Sequence, residues 1–171
     1  MSEIVDVLVC VDVNSIIKEY SSLSNTPNSP TKIDNKFIRH ITSNSNTYLP
    51  EKNATGELKI KINIGDTIKL RVMSLTQQFE YGIYPHKIVM LPEKKVTLNA
   101  SDNYSYTLYL DKSEDSSDIC GKYENQQTVD NYIEWKSQTR GQISFYCVLY
   151  IYNVKMKLNK YIFYDTKINV L

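Results

Sequence analysis

Gly141–Tyr152 reads GQISFYCVLYIY, and its residues sort into two sides at a spacing of two. Ile143, Phe145, Cys147, Leu149 and Ile151 share one side; Ser144, Tyr146, Val148, Tyr150 and Tyr152 share the other. A period of two is the side-chain period of a strand, and β-branched and aromatic residues suit a pleated, packed surface. No stripe at i, i+3, i+4, i+7 forms on either side, so a buried helix does not fit. One side is wholly apolar and the other amphipathic through its tyrosines, as expected of a strand in the middle of a sheet.

Working outward, the same alternation recurs along the chain. Ile4–Val13 places Val5, Val7, Val9, Val11 and Val13 on one face, and a short helix over Ile16–Tyr20 follows, opened by Asn14-Ser15. Ser21–Asn35 is rich in Ser, Asn, Thr and Pro and reads as a long loop. Phe37, Arg39 and Ile41 alternate with Ile38, His40 and Thr42 in a second strand. Leu58, Ile60, Ile62 and Ile64, then Gly65-Asp66, then Ile68, Leu70 and Val72 read as two strands of a hairpin joined by a tight turn. Phe79–Ile83 is a strand broken at Tyr84-Pro85, with Lys87–Leu91, Val96–Asn99 and Tyr104–Leu110 as further short strands. Asp111–Asp130 is a polar, acidic connection, and Asn131–Trp135 is open between strand and turn. Lys160–Tyr164 and Lys167–Leu171 close the chain. About ten short strands with at most one short helix predict an all-β protein, an antiparallel β-sandwich with jelly-roll or Greek-key connections, as a single domain over 1–171.

The composition is that of a globular protein: 42% hydrophobic and 23% charged residues rule out wholesale disorder. A formal net charge of +1 offers no electrostatic reason to expect nucleic acid or an acidic membrane as partner. It also leaves little self-repulsion, which favours association near neutral pH. The fourteen tyrosines against four phenylalanines suit sheet faces, self-contacts and sugar-binding surfaces alike. Cys10, Cys120 and Cys147 are odd in number and without a CxxC, so buried reduced thiols in a reducing compartment are expected. The start MSEIVDV lacks the basic region and apolar core of a signal peptide, and no apolar run reaches membrane-span length. The expected location is the cytoplasm.

Catalysis finds no support. His40 and His86 are the only histidines, and HExxH, GxSxG, GxGxxG and Walker patterns are absent. A Cys–His pair of His40 with Cys10 or Cys147 would need thiols that the strand pattern assigns to the core. No cofactor is expected, and no metal site is assigned. The acidic residues of 111–130 lack an EF-hand spacing. Asp12 and Asn14 at the end of the first strand, with Asp34 and Asn35 at the far end of the following loop, are candidate ligand-binding residues if they meet at one rim of the sandwich. There they would hold a cation or a sugar, with Trp135 as a candidate ring to stack on the sugar. The competing reading is structural: Asp12 caps the helix and Asp34 makes an Asx turn.

Four segments resemble the bacterial inclusion-body family typified by PixA and AidA. They are DVLVCVDVNSIIKEY (Asp6–Tyr20), NSPTKIDNKFIRHI (Asn28–Ile41), GELKIKINIGDTIKLR (Gly56–Arg71), and FYCVLYIY with YIFYDTKINV near the C-terminus. Tyr164-Asp165-Thr166 stands where that family has Trp-Asp-Pro. The resemblance implies a non-enzymatic cytoplasmic protein that gathers into dense, sometimes crystalline inclusions in host-associated bacteria, with a storage or host-association role. Homo-oligomers, a dimer first, are the expected partners. With four methionines, the chain departs from the methionine-rich branch, which speaks against a methionine store. A lectin-like module binding glycan, with or without calcium, is the alternative.

Overall fold

The fold is known from a computed structural model that describes residues 2–43, 45, 53–58, 60–75, 81–90, 132–137, 140–153 and 158–170. The strands expected at Val96–Asn99 and Tyr104–Leu110, the acidic connection Asp111–Asp130 and Cys120 lie outside the described residues. The described strands are β1 (Ile4–Val11), β2 (Thr31–Lys32), β3 (Ile38–Ile41), β4 (Lys61–Ile62), β5 (Thr67–Ser74), β6 (Tyr81–Met90), β7 (Tyr132–Lys136), β8 (Gly141–Asn153) and β9 (Asn159–Val170). One α-helix, α1 (Val13–Glu19), and one 3-10 turn, η1 (Asn35–Phe37), accompany them.

Two sheets face each other. The first has the order β3-β1-β5-β7; the second has β2-β9-β8-β6, with β4 also pairing β9. The stretch GQISFYCVLYIY lies in β8, between β6 and β9, and its odd residues Ile143, Phe145, Cys147, Leu149 and Ile151 are buried. Across the interior they meet the valine stripe of β1 and Ile68 and Leu70 of β5 in one continuous apolar core. Alternation thus does in each sheet what it predicts: one side of every long strand is removed from water, at ~25 cal/mol for each Å² of apolar surface.

The all-β sandwich stands, but its sheets are mixed. β1 runs parallel to β5, and β2 and β4 run parallel to β9, while β3, β6, β7 and β8 pair antiparallel. The expected hairpin at Gly65-Asp66 does not form. β4 joins β9 in the second sheet, and β5 joins β1 and β7 in the first, so the chain crosses between sheets at this turn. Both runs alternate because both face the core, from opposite sides; a period of two says nothing about which strand is the partner. Ile64, inward by alternation, is exposed at the corner.

Gly65 takes φ +94°, which an L side chain resists, and Asp66 N–H donates to the Asn63 carbonyl across the turn. Asp66 is itself buried. Its two carboxylate oxygens accept from Glu3 N–H (2.9 Å) and Asn63 N–H (2.8 Å), while its main chain pairs with Ser137. Burial works to raise this carboxyl, yet the backbone donors outweigh it and hold Asp66 below the usual carboxylate range.

Two further expectations shift. Tyr84-Pro85 does not break the chain into two strands: β6 is continuous, with a bulge between Pro85 and Lys87 that absorbs His86. The loop Ser21–Asn35 carries β2 and a Ser24–Tyr161 bridge, so it runs along the edge of β9. Asn131–Trp135, left open, resolves as strand from Tyr132 onward.

Candidate functional site

The rim residues are placed first. Asp12 is the N-cap of α1, where its side chain accepts from Ser15 N–H at 3.1 Å. Asn14 is half-buried in the first turn of that helix. Asp34 caps η1, its carboxylate accepting from Lys36 N–H at 2.8 Å, and its own N–H donates to the Tyr20 hydroxyl. α1 and η1 lie side by side, so these residues share one end of the sandwich, but both aspartates are spent on capping. Trp135 pairs through its main chain with Ile68 in β5, in a different sheet position from the rim; its side chain lies outside the described part. Among the described residues, no three His, Cys, Asp or Glu side chains gather as they would around a metal ion.

His40 and Cys147 do come near each other, through Tyr164. The His40 Nε2 lies 3.3 Å from the Tyr164 hydroxyl, which also engages the Cys147 thiol. All three are buried in the core. Burial pushes His40 down to about 4, only partly offset by the Thr55 carbonyl, and pushes Cys147 up to about 12. A neutral imidazole and a protonated thiol with no path to solvent make a hydrogen-bonded link between sheets, not a nucleophile and base.

The candidate site is instead the outer face of the second sheet. By alternation, Tyr146, Val148, Tyr150 and Tyr152 of β8 point away from the core, and their register partners on β9 are Asp165, Phe163, Tyr161 and Asn159. On β6 the partner of Tyr150 is Tyr84. The rings form two groups on this face. Tyr84 lies 4.9 Å from Tyr150 and 5.5 Å from Tyr152, Tyr150 lies 5.0 Å from Tyr161, and Tyr146 lies 5.2 Å from Phe163. His86, at the bulge, meets Tyr161 edge-on at 5.3 Å. The Tyr152 ring covers Gly82, where any Cβ would overlap it. Tyr84, Tyr146, Tyr150, Tyr152, Tyr161 and Phe163 are all half-buried, while Val148 beneath them is fully covered.

Burial first, and neighbouring phenols second, raise Tyr84 and Tyr150 above the usual tyrosine range. Tyr84 and Tyr150 therefore stay uncharged near neutrality and keep their phenolic O–H donors. The tyrosine bias was the sequence signal for it. Bringing Tyr84, Tyr161 and Phe163 beside the β8 tyrosines took strand pairing.

An all-β sandwich of two mixed sheets, with an aromatic layer on one outer face, is the class of protein these observations define. The chain belongs to the PixA inclusion body protein family, whose family model matches residues 3–170. Among solved structures it is similar to the crystal structure of an inclusion body protein (PixA) from Burkholderia cenocepacia J2315. That likeness has 15% identity and a TM-score of 0.77 over 99% of this chain and 97% of the other, and is a likeness of fold. No curated protein matches the chain. Among the described residues, no helix is long and apolar enough to cross a membrane.

Proposed function

We propose that this chain is a non-enzymatic building block that associates with copies of itself into cytoplasmic inclusion bodies, with a dimer as the first unit. Family membership supports the reading, and the aromatic outer face carries it. Six rings, each with roughly a quarter of the ~150–250 Å² an aromatic residue can bury still open, offer on the order of 300 Å² per copy. A standard interface takes ~800 Å² from each partner, so the rings supply its centre and the surface around them the larger share. Tyrosine hydroxyls donate and accept, which lets the same patch face itself across a two-fold axis. A net charge of +1 adds little repulsion between copies.

The test is electron diffraction on dense bodies from cells expressing the native chain and the Tyr150→Lys variant, with Tyr150→Phe as the conservative control. Lattice spots from the native and Tyr150→Phe chains, with folded protein left in solution by Tyr150→Lys, are expected. Bodies of unchanged order from a folded Tyr150→Lys chain overturn the assignment of the face. Absence of bodies from the native chain overturns the assembly reading itself.

A further inference from the structure

The outer face of the second sheet continues past its aromatic layer into a cleft of about 570 Å³, lined by charged and hydroxyl side chains and by Leu58. It opens along the edge of β9 away from β8, where among the described residues no strand pairs with Asp165, Thr166 and Lys167: β2 pairs with Ile162 and Phe163, and β4 with Asn169 and Val170. Ser144 of β8, the register partner of Lys167, adds to its floor. Asn35 of η1 and Glu57 make the opposite wall.

The wall is held in place. The Asn35 side-chain amide donates to the Asp165 carbonyl at 3.1 Å, and Lys32 pairs with the Asp165 carboxylate while lying over the Phe163 ring. Gly56 allows the 53–58 segment to close on η1: a Cβ there would come within 2.5 Å of the Asn35 carbonyl oxygen.

The lining decides the ligand. Glu57 and Asp165 are balanced by Lys167 and Lys32, so neither an anion nor a cation meets a surplus of opposite charge. Carboxylates accept, ammonium and amide groups donate, and the Ser144 and Thr166 hydroxyls do both. That mixture fits a ligand whose every polar group is itself donor and acceptor, namely the hydroxyls of a neutral sugar. Beside the cleft, Tyr146 is the register partner of Asp165, and its ring packs against Phe163. Such a pair offers an apolar wall to the C–H face of a pyranose ring. The volume lies within the range of small-molecule sites and suits one or two sugar units.

We infer that this cleft binds a neutral carbohydrate, through Asp165, Lys167, Asn35 and Ser144, with Tyr146 and Phe163 flanking the ring. The cleft shares Tyr146 and Phe163 with the aromatic face, and of the rim residues it takes up Asn35 alone.

Saturation-transfer NMR on the full chain, with the methyl glycosides of glucose, galactose, mannose and N-acetylglucosamine and with lactose and maltose as probes, tests it. At least one probe is expected to receive saturation. Its affinity should fall by about tenfold or more in Asp165→Asn and in Lys167→Met, as loss of a hydrogen bond to a charged group implies. Asp12→Ala, at the rim but outside the cleft lining, should leave it unchanged. Ser144→Val is a third cleft variant, away from the Lys32 pair, should Asp165→Asn fail to fold. No transfer to any probe, or transfer unaltered by the folded cleft variants, overturns the site. Loss in Asp12→Ala alone returns the sugar to the rim and also overturns it.

Discussion

Across the outer face of the first sheet, Lys69 faces Glu134 at 3.7 Å and Arg71 faces Asp6 at 3.5 Å, with both cations over the Tyr132 ring. Across the outer face of the second sheet, the equivalent positions carry Tyr84, Tyr146, Tyr150, Tyr161 and Phe163. Both faces follow from the same alternation, and their inner sides are interchangeable in chemistry. Docking a second copy on the charged face would strip water from four ionised groups, a cost that ion pairing seldom recovers. Docking on the aromatic face removes neutral rings and hydroxyls from water, which is favourable. If copies of the chain associate as proposed, the difference between the two faces gives that association a direction.

That contrast rests on a sound interior, and the largest expected effect comes from damaging it. Phe145→Ala, on the inner side of β8, should lower stability by about 3–5 kcal/mol in denaturant unfolding and disturb both faces together. A loss confined to one face would mean that the sheets fold separately.

Acid comes next, because His40 joins β3 to Tyr164 of the other sheet. Its folded pKa of about 4 lies below its ordinary 6.5, so the unfolded chain takes up the proton first. The stability it contributes is therefore full above pH 6.5 and is lost as pH falls from 6.5 towards 4, on the order of 3 kcal/mol. Denaturant midpoints across that window should drop for the native chain and stay flatter for His40→Gln. Parallel curves would remove His40 from the account.

Asp66→Ala should cost about 2 kcal/mol, since the Glu3 and Asn63 amides lose their acceptor at the corner between the sheets. The expected thermal shift is downward, with little change in association of the folded fraction.

The smallest effect on stability, and the sharpest on the contrast, comes from exchanging the faces. Tyr150→Lys should cost about 1–2 kcal/mol in folding, through its lost ring contacts, yet weaken self-association by about 30-fold or more, measured by sedimentation. Neutralising the other face with Lys69→Gln and Glu134→Gln should change stability by less than about 1 kcal/mol. If that double variant alters association as much as Tyr150→Lys does, the two faces do not differ in the way their chemistry implies.

Much of this was legible along the chain. The valine stripe of β1 and the two-sided β8 name the core before any coordinate is known, because burying alternate residues is a local property of a strand. The capping roles of Asp12 and Asp34 were legible for the same reason: each acts within three residues of itself. The Gly65-Asp66 turn misled, because a turn between two alternating runs looks the same whether they pair with each other or part to different sheets. His86 was hidden by Pro85, which signals a break but here sits at a bulge in a continuous strand.

The sites belong to the second kind of knowledge. Six rings from three strands become one surface only after β6 and β9 take their register on β8. Likewise Asn35, Glu57 and Asp165, more than a hundred residues apart at the extremes, share a cleft only because β2 and β4 leave the edge of β9 open between them. Alternation, capping and charge balance act between near neighbours and can be read in order. Strand pairing is a choice among distant partners of equal local merit, and only the packing of the whole core makes that choice.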